Sequence, residues 1–148
     1  MKRIHDYRKL LGVSKDTTLT ELKSIYRNLM KEWHPDKFVG DEIKRLEAEE
    51  KSKKIISGYH FLISILPETV AQNKAEYLET LEKSNISDFD YKNSALIITF
   101  SDGISYEYLG VSKSIYDKLV NADAKIRFAK RHIYHAFIYR KLSNAKEE

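Results

Sequence analysis

Trp33-His34-Pro35-Asp36-Lys37-Phe38-Val39-Gly40 separates two stretches of helical periodicity, and its reading decides the fold of the first half of the chain. Upstream, Thr18-Leu19-Thr20-Glu21 matches a capping box, with threonine at the cap and glutamate three residues on. The helix it opens runs to about Trp33. Its apolar positions are Leu22, Ile25, Tyr26, Leu29, Met30 and Trp33, a single stripe at helical period. Lys23, Arg27 and Lys31 recur every four residues, which stacks them into a basic column on another face. Pro35 stops this helix, because its ring disfavours the α conformation at His34 and fixes its own φ. A second long helix starts at Asp41, after Gly40. It is highly charged to Lys54 and then apolar through Ile55, Ile56, Tyr59, Leu62 and Ile65. Pairing Leu22, Ile25 and Leu29 with Ile55, Tyr59 and Leu62 gives an antiparallel hairpin with His34-Pro35-Asp36 at its tip.

The 148 residues suffice for one ordinary domain or two small ones. A hydrophobic content of 42% is globular, and a net charge of +4 with 32% charged residues does not by itself imply a nucleic-acid partner. The absence of cysteine excludes a disulfide framework, a thiolate nucleophile and zinc–thiolate sites. No apolar segment follows Met1-Lys2-Arg3-Ile4-His5-Asp6, so a signal peptide is not expected. The longest apolar-rich run, residues 55–66, is shorter than the about 20 residues that span a bilayer. A soluble cytoplasmic protein with no membrane association is the expectation.

Elsewhere the pattern predicts a short helix over residues 7–11, capped by Asp6 and stopped by Gly12. Pro67 breaks the second long helix. Residues 68–83 read as a further helix, whose sparse stripe of Leu66, Val70, Ala75 and Leu78 predicts weak packing. After Ser84-Asn85 the period changes to that of strands. Strands are predicted over 95–100 and 104–109, joined at Ser101-Asp102-Gly103 with Asp-Gly as a type I′ pair, and a third over 86–91. Tyr106 and Tyr108 share a face and read as packing residues. Ser112 caps a helix through Val120, a last helix is expected over 124–139, and the tail Lys146-Glu147-Glu148 is expected to fray.

Over residues 5–62 the chain resembles a J domain, the module of DnaJ-type co-chaperones. The resemblance rests on Asp6-Tyr7, Leu10-Leu11-Gly12-Val13, Ile25-Tyr26-Arg27, Leu29, Trp33-His34-Pro35-Asp36-Lys37 and Gly58-Tyr59-His60-Phe61-Leu62. Trp33 stands where that family has tyrosine, Ser52 replaces a core phenylalanine, Ile56 takes a usually polar position, and the aspartate-proline-arginine opening of a fourth helix is missing. Residues 86–142 resemble a KTSC domain, known from the C-terminal end of some lysyl-tRNA synthetases and as a stand-alone bacterial protein. Here the match is Phe100-Ser101-Asp102-Gly103, Tyr106-Glu107-Tyr108, Val111 and the segment from Lys125 to Arg140 with His132-Ile133. Ile126 replaces a usual glycine and Ala129 a usual aromatic. The resemblances imply a mainly α J-domain hairpin bundle over 1–66, a connecting helix over 67–84, and a small α+β domain with an antiparallel sheet over 85–148.

What the first resemblance implies is a bacterial co-chaperone that docks on a DnaK-type chaperone and stimulates its ATP hydrolysis, itself doing no bond chemistry and needing no cofactor. The docking residues would be His34, Pro35, Asp36 and Lys37, with Lys23, Arg27 and Lys31 as a steering column and Tyr26 divided between core and contact. Read without the resemblance, the loop is a helix-terminating turn and the column a solvated helix face. The alternative function is RNA or other nucleic-acid binding through Lys125, Arg127, Lys130, Arg131, Arg140 and Lys141. No acid interrupts that segment, and Phe128, Tyr134, Phe137 and Tyr139 are interleaved. The same pattern also suits an amphipathic helix with a basic outside. The client is open, RNA or a ribonucleoprotein included. His132 and His135 lack a third ligand nearby in sequence, so no metal site is expected, and no Gly-rich phosphate loop, nucleophile elbow or His-Glu zinc motif is present.

Overall fold

The computed structural model describes residues 2–142; the expected fraying of the tail lies outside them. The chain divides after Thr69 into two compact units. The first consists of α1 (Lys2–Leu11), α2 (Leu19–Trp33), a 3₁₀ turn (Pro35–Phe38), α3 (Glu42–Ile65) and the start of α4 (Pro67–Lys83). The second holds the rest of α4, then β1 (Ile86–Lys92), β2 (Ala95–Phe100), β3 (Ser105–Leu109), α5 (Lys113–Asn121), α6 (Lys125–His132) and β4 (Ile138–Leu142).

In the first unit α2 and α3 form the expected hairpin. The Thr18 hydroxyl accepts from the Glu21 N–H at 3.2 Å, and the Glu21 carboxylate accepts from the Thr18 N–H at 2.9 Å. These bonds hold the exposed Glu21 carboxyl below its ordinary pKa, the backbone bond contributing most. The Leu19 N–H, another donor that a helix start leaves without an intrahelical partner, donates to Glu68 at 3.0 Å. Leu22, Ala48, Ile55 and Leu62 are buried. As expected, α3 is exposed near its start and buried near its end. α1 closes the bundle: Tyr7 packs on Phe61, with ring centroids 5.2 Å apart. A Cβ at Gly58 would come within 2.9 Å of the Tyr7 ring, so glycine permits this close approach.

α1 is longer than the sequence pattern predicts. Asp6 does not cap it but lies inside, 3.7 Å from Lys2 one turn earlier. The extra turn buries Ile4. Its C-terminal end follows expectation: Gly12 has φ +71°, the Val13 N–H donates to the Arg8 carbonyl and the Gly12 N–H to that of Lys9, the paired bonds of a Schellman stop.

The second unit is a four-stranded antiparallel sheet in the order β1-β2-β3-β4. One face carries Leu96, Ile98, Phe100, Tyr106 and Tyr108, which share a core with Tyr77 and Leu81 of α4, Leu119 of α5 and Ala129 of α6. The predicted stripe on α4 is therefore misplaced. Leu78 is 43% exposed and Ala75 is exposed, whereas Tyr77, Thr80 and Leu81 are buried. Helix α4 packs firmly through an aromatic and a hydroxyl that an aliphatic count passes over.

Two further expectations are corrected. The type I′ turn does not fall at Asp102-Gly103. Of the two, only Gly103 has positive φ, and the Gly103 N–H donates to the Phe100 carbonyl, giving a three-residue loop in which the Asp102 carboxylate also accepts from the Ile104 N–H. β3 consequently begins at Ser105. The two-residue turn with both central residues at positive φ is Asn93-Ser94 (φ 51° and 63°), between β1 and β2. The second correction is the last helix. α6 ends at His132, and the Ile133 and Tyr134 N–H groups both donate to the Ala129 carbonyl. Residues 138–142 then add β4 to the sheet. Alternation explains why: Tyr139 stacks on Tyr77 with centroids 3.9 Å apart, while Arg140, one residue on, faces the other side and meets Glu107. That two-residue period cannot be met by a helix.

A candidate chaperone-docking loop

Helix α2 ends at Trp33, and His34 caps it with extended backbone (φ −64°, ψ 130°). Pro35 opens the 3₁₀ turn, where its missing N–H costs nothing because the first donors of a helix have no partner in it. The Lys37 N–H donates to the His34 carbonyl and the Asp41 N–H to that of Phe38. Asp41 in turn caps α3, its carboxylate accepting from the Lys44 N–H at 3.1 Å. The loop is thus held from both ends by hydrogen bonds of its own backbone, and the 3₁₀ turn packs against α3.

His34 Nδ1 accepts from the Asp36 N–H at 3.2 Å. A nitrogen that accepts carries no proton, so the neutral ring has its N–H at Nε2. The Asp36 carboxylate lies 3.7 Å from the same Nδ1 and is 91% exposed, against 54% for the His34 side chain. The turn therefore presents one donor, from His34, and an acceptor-only carboxylate, from Asp36, on a backbone stiffened by Pro35. Lys37 beside them is exposed.

Lys23, Arg27 and Lys31 are all exposed along α2, which leads into the loop. Tyr26 is half-buried, stacked on Tyr59. Two of the departures from the J-domain pattern, Trp33 and Ser52, are engaged. The Lys51 ammonium sits over the Trp33 ring, 4.3 Å from its centroid. Ser52 is buried, and its hydroxyl donates to the Glu49 carbonyl at 3.0 Å. The sequence reading missed one group at this end of the hairpin. Val39, Ile43 and Leu46 are 81%, 73% and 53% exposed. Ile43 and Leu46, three residues apart, share a face of α3, and Val39 lies in the turn that leads into it, a signal present in the sequence but hidden in a stretch dominated by charge.

The six cations proposed for nucleic acid are not brought together as one helix face. Arg127, Lys130 and Arg131 are exposed on α6. Lys125 donates to the Ala122 carbonyl at 3.1 Å. Arg140 and Lys141 belong to β4: Arg140 is 2.6 Å from Glu107, which is buried while Arg140 is largely so, and Lys141 is 2.6 Å from Glu76. The described residues contain no group of three or more side chains able to hold a metal, and no helix long and apolar enough to cross a membrane.

Comparison with known proteins agrees with this division. The chaperone protein DnaJ of Hydrogenobacter thermophilus is 51% identical over 59 residues, 40% of this chain and 15% of that protein. The DnaJ protein P58IPK homolog of Arabidopsis thaliana is 40% identical over 62 residues, 42% of this chain and 12% of its own. The chaperone protein DnaJ of Thermotoga maritima is 43% identical over 61 residues, 41% and 16%. The chain thus spans less than a fifth of the length of these relatives. No solved structure matches it at a comparable level. Two family models match in succession: that of the DnaJ domain over residues 6–66, and that of the KTSC domain over residues 82–137.

Proposed function

We propose that this protein is a J-domain co-chaperone that docks through His34, Pro35 and Asp36 on a DnaK-type chaperone and stimulates its ATP hydrolysis. The observation that carries the reading is the pinned, exposed turn at the tip of the α2–α3 hairpin, within the segment that matches the DnaJ domain. Residues 1–66 form the J module in this reading. Residues 67–84 connect it to the module of residues 85–148, which selects the client or the location in the cytoplasm of a bacterium, and the second half of α4 also supplies core to that module.

The roles follow from the groups. Pro35 limits the entropy lost when the loop docks. The Asp36 carboxylate suits a bidentate hydrogen bond from a partner arginine. His34 contributes its Nε2–H. Lys23, Arg27, Lys31 and Lys37 steer an acidic partner surface toward the loop, and Val39, Ile43 and Leu46 offer it an apolar margin. None of these groups breaks or forms a covalent bond, so the protein acts as a regulator of its partner's hydrolysis rather than as an enzyme. The test is binding to a DnaK-type chaperone held with ATP or with ADP. The expected result is tighter binding in the ATP state that Asp36→Asn weakens at least tenfold. Equal binding to both states, unchanged by Asp36→Asn, would contradict the reading.

A further inference from the structure

β1 is an edge strand of the sheet among the described residues. The two-residue turn at Asn93-Ser94 makes Lys92 and Ala95 a hydrogen-bonded pair. Alternation then assigns the same state to Asp90 with Ile97 and to Asp88 with Thr99. The N–H and C=O groups of Phe89 and Tyr91 therefore project away from β2, toward the open edge. A register shift between Ile86 and Asp88 sets Ile86 on the same sheet face as Phe89 and Tyr91.

Beside this edge runs a groove of about 500 Å³ between the start of β1 and the α5–α6 connection, within the range of ligand pockets, about 300–1,000 Å³. Ile86, Phe89 and Ile126 give it apolar walls, and Asp88 and Asp123 line it with carboxylates. Lys125 also lines it, but its ammonium is engaged by the Ala122 carbonyl. Ile126 is the residue that replaces the glycine of the KTSC pattern. An open strand edge, apolar walls and acids fit one class of occupant: an extended peptide with apolar side chains and basic neighbours. Antiparallel pairing of two copies of β1 would bring Asp88 and Asp90 against their counterparts, and like charges across strands are destabilising. The same carboxylates oppose a phosphate backbone.

We propose that the open edge of β1 and this groove form a peptide-binding site. The peptide's backbone pairs with Phe89 and Tyr91, an apolar side chain enters against Ile86, Phe89 and Ile126, and a lysine or arginine lies beside Asp88 and Asp123. The site would give the second unit direct capture of unfolded or extended basic segments.

The test uses the full chain and two fluorescein-labelled peptides of alternating threonine and leucine, one flanked by arginines and the other by glutamates. Fluorescence anisotropy at low salt is expected to show the arginine-flanked peptide binding at least tenfold tighter. Combined Asp88→Lys and Asp123→Lys, both at exposed positions, should weaken it at least tenfold. Hydrogen exchange on the unmodified protein should slow at the Phe89 and Tyr91 amides when peptide is added. His34→Gln should leave peptide affinity unchanged, which separates this site from the docking loop. Equal affinity for the two peptides, indifference to the charge reversal, or protection confined to other amides would overturn the proposal. So would competition by a single-stranded RNA oligonucleotide for the same amides, or a dimer whose β1 edges stay paired when peptide is added.

Discussion

The ring of Tyr26 lies flat on that of Tyr59, centroids 3.8 Å apart and planes 7° from parallel. This stack joins α2 to α3 within the hairpin that carries the loop. It makes Tyr26 primarily a packing residue. Tyr26→Ala should therefore destabilise the protein by about 3 kcal/mol, the lower part of the range for removing an aromatic ring from a core. Tyr26→Phe keeps the ring and should change stability by less than about 0.5 kcal/mol. Urea unfolding of both variants checks this. If Tyr26→Ala left stability intact while abolishing chaperone stimulation, the residue would belong to the contact instead.

The exposed column of Lys23, Arg27 and Lys31 should behave oppositely. Each reversal to glutamate should move stability by no more than about 0.5 kcal/mol, as for ordinary surface positions. The association rate with a DnaK-type chaperone should fall, together with its dependence on salt, because steering acts on the encounter. Stopped-flow binding at two ionic strengths distinguishes a steering surface from a solvated face, which would leave both unchanged.

The hairpin was legible in the sequence because its signals are local. A capping box, a stripe at helical period and a proline each act over a few residues, and Thr18, Leu22 and Pro35 sit where those signals put them. β4 was not legible for the opposite reason. Tyr139, Arg140 and Lys141 acquire their roles from Tyr77, Glu107 and Glu76, at least 30 residues away in the chain. Read locally, the run from Lys125 to Lys141 is simply basic and aromatic. Tyr77 was passed over similarly, because its hydroxyl has a place in the core only once Tyr108 and the Tyr134 carbonyl are beside it. At the candidate site, local sequence marked the loop and the column but not the exposed group of Val39, Ile43 and Leu46.

Arg140 gives a prediction that separates structure from nucleic-acid binding. It pairs across strands with Glu107 at 2.6 Å, and both side chains are largely buried. Truncating one member of a buried ion pair costs about 3–5 kcal/mol. Arg140→Ala should accordingly lower the unfolding free energy by about that amount, whereas Arg127→Ala, at an exposed position on α6, should change it by less than about 0.5 kcal/mol. Chemical denaturation of the two variants decides the matter, and equal, small effects would return Arg140 to the set of surface cations.

The tyrosines of the second unit predict its behaviour in alkali. Tyr77 donates to the Tyr134 carbonyl at 2.6 Å, so the proton in the 2.9 Å contact with Tyr108 comes from Tyr108. Burial is the first cause that raises the pKa of all four hydroxyls, to about 12 for Tyr106 and Tyr134 and well above the ordinary value for Tyr77 and Tyr108. In the unfolded chain these groups ionise near about 10. Above that pH the unfolded state binds fewer protons than the folded one, so stability falls as pH rises. It should be level in this respect below pH of about 10 and decline from there toward the folded pKa of about 12. Tyrosinate absorbance should rise together with loss of the sheet's circular dichroism. Ionisation of Tyr106 or Tyr134 near the ordinary value with the sheet intact would contradict this.

The most direct measurement of the docking loop is the single-turnover rate of ATP hydrolysis by a DnaK-type chaperone with a saturating concentration of this protein. The unaltered chain should accelerate hydrolysis. His34→Gln should abolish the acceleration while the circular dichroism spectrum and the urea midpoint stay unchanged, since His34 lies in an exposed turn outside the core. No acceleration by the unaltered chain would contradict the co-chaperone reading, and acceleration that survives His34→Gln would show that the loop is only a turn.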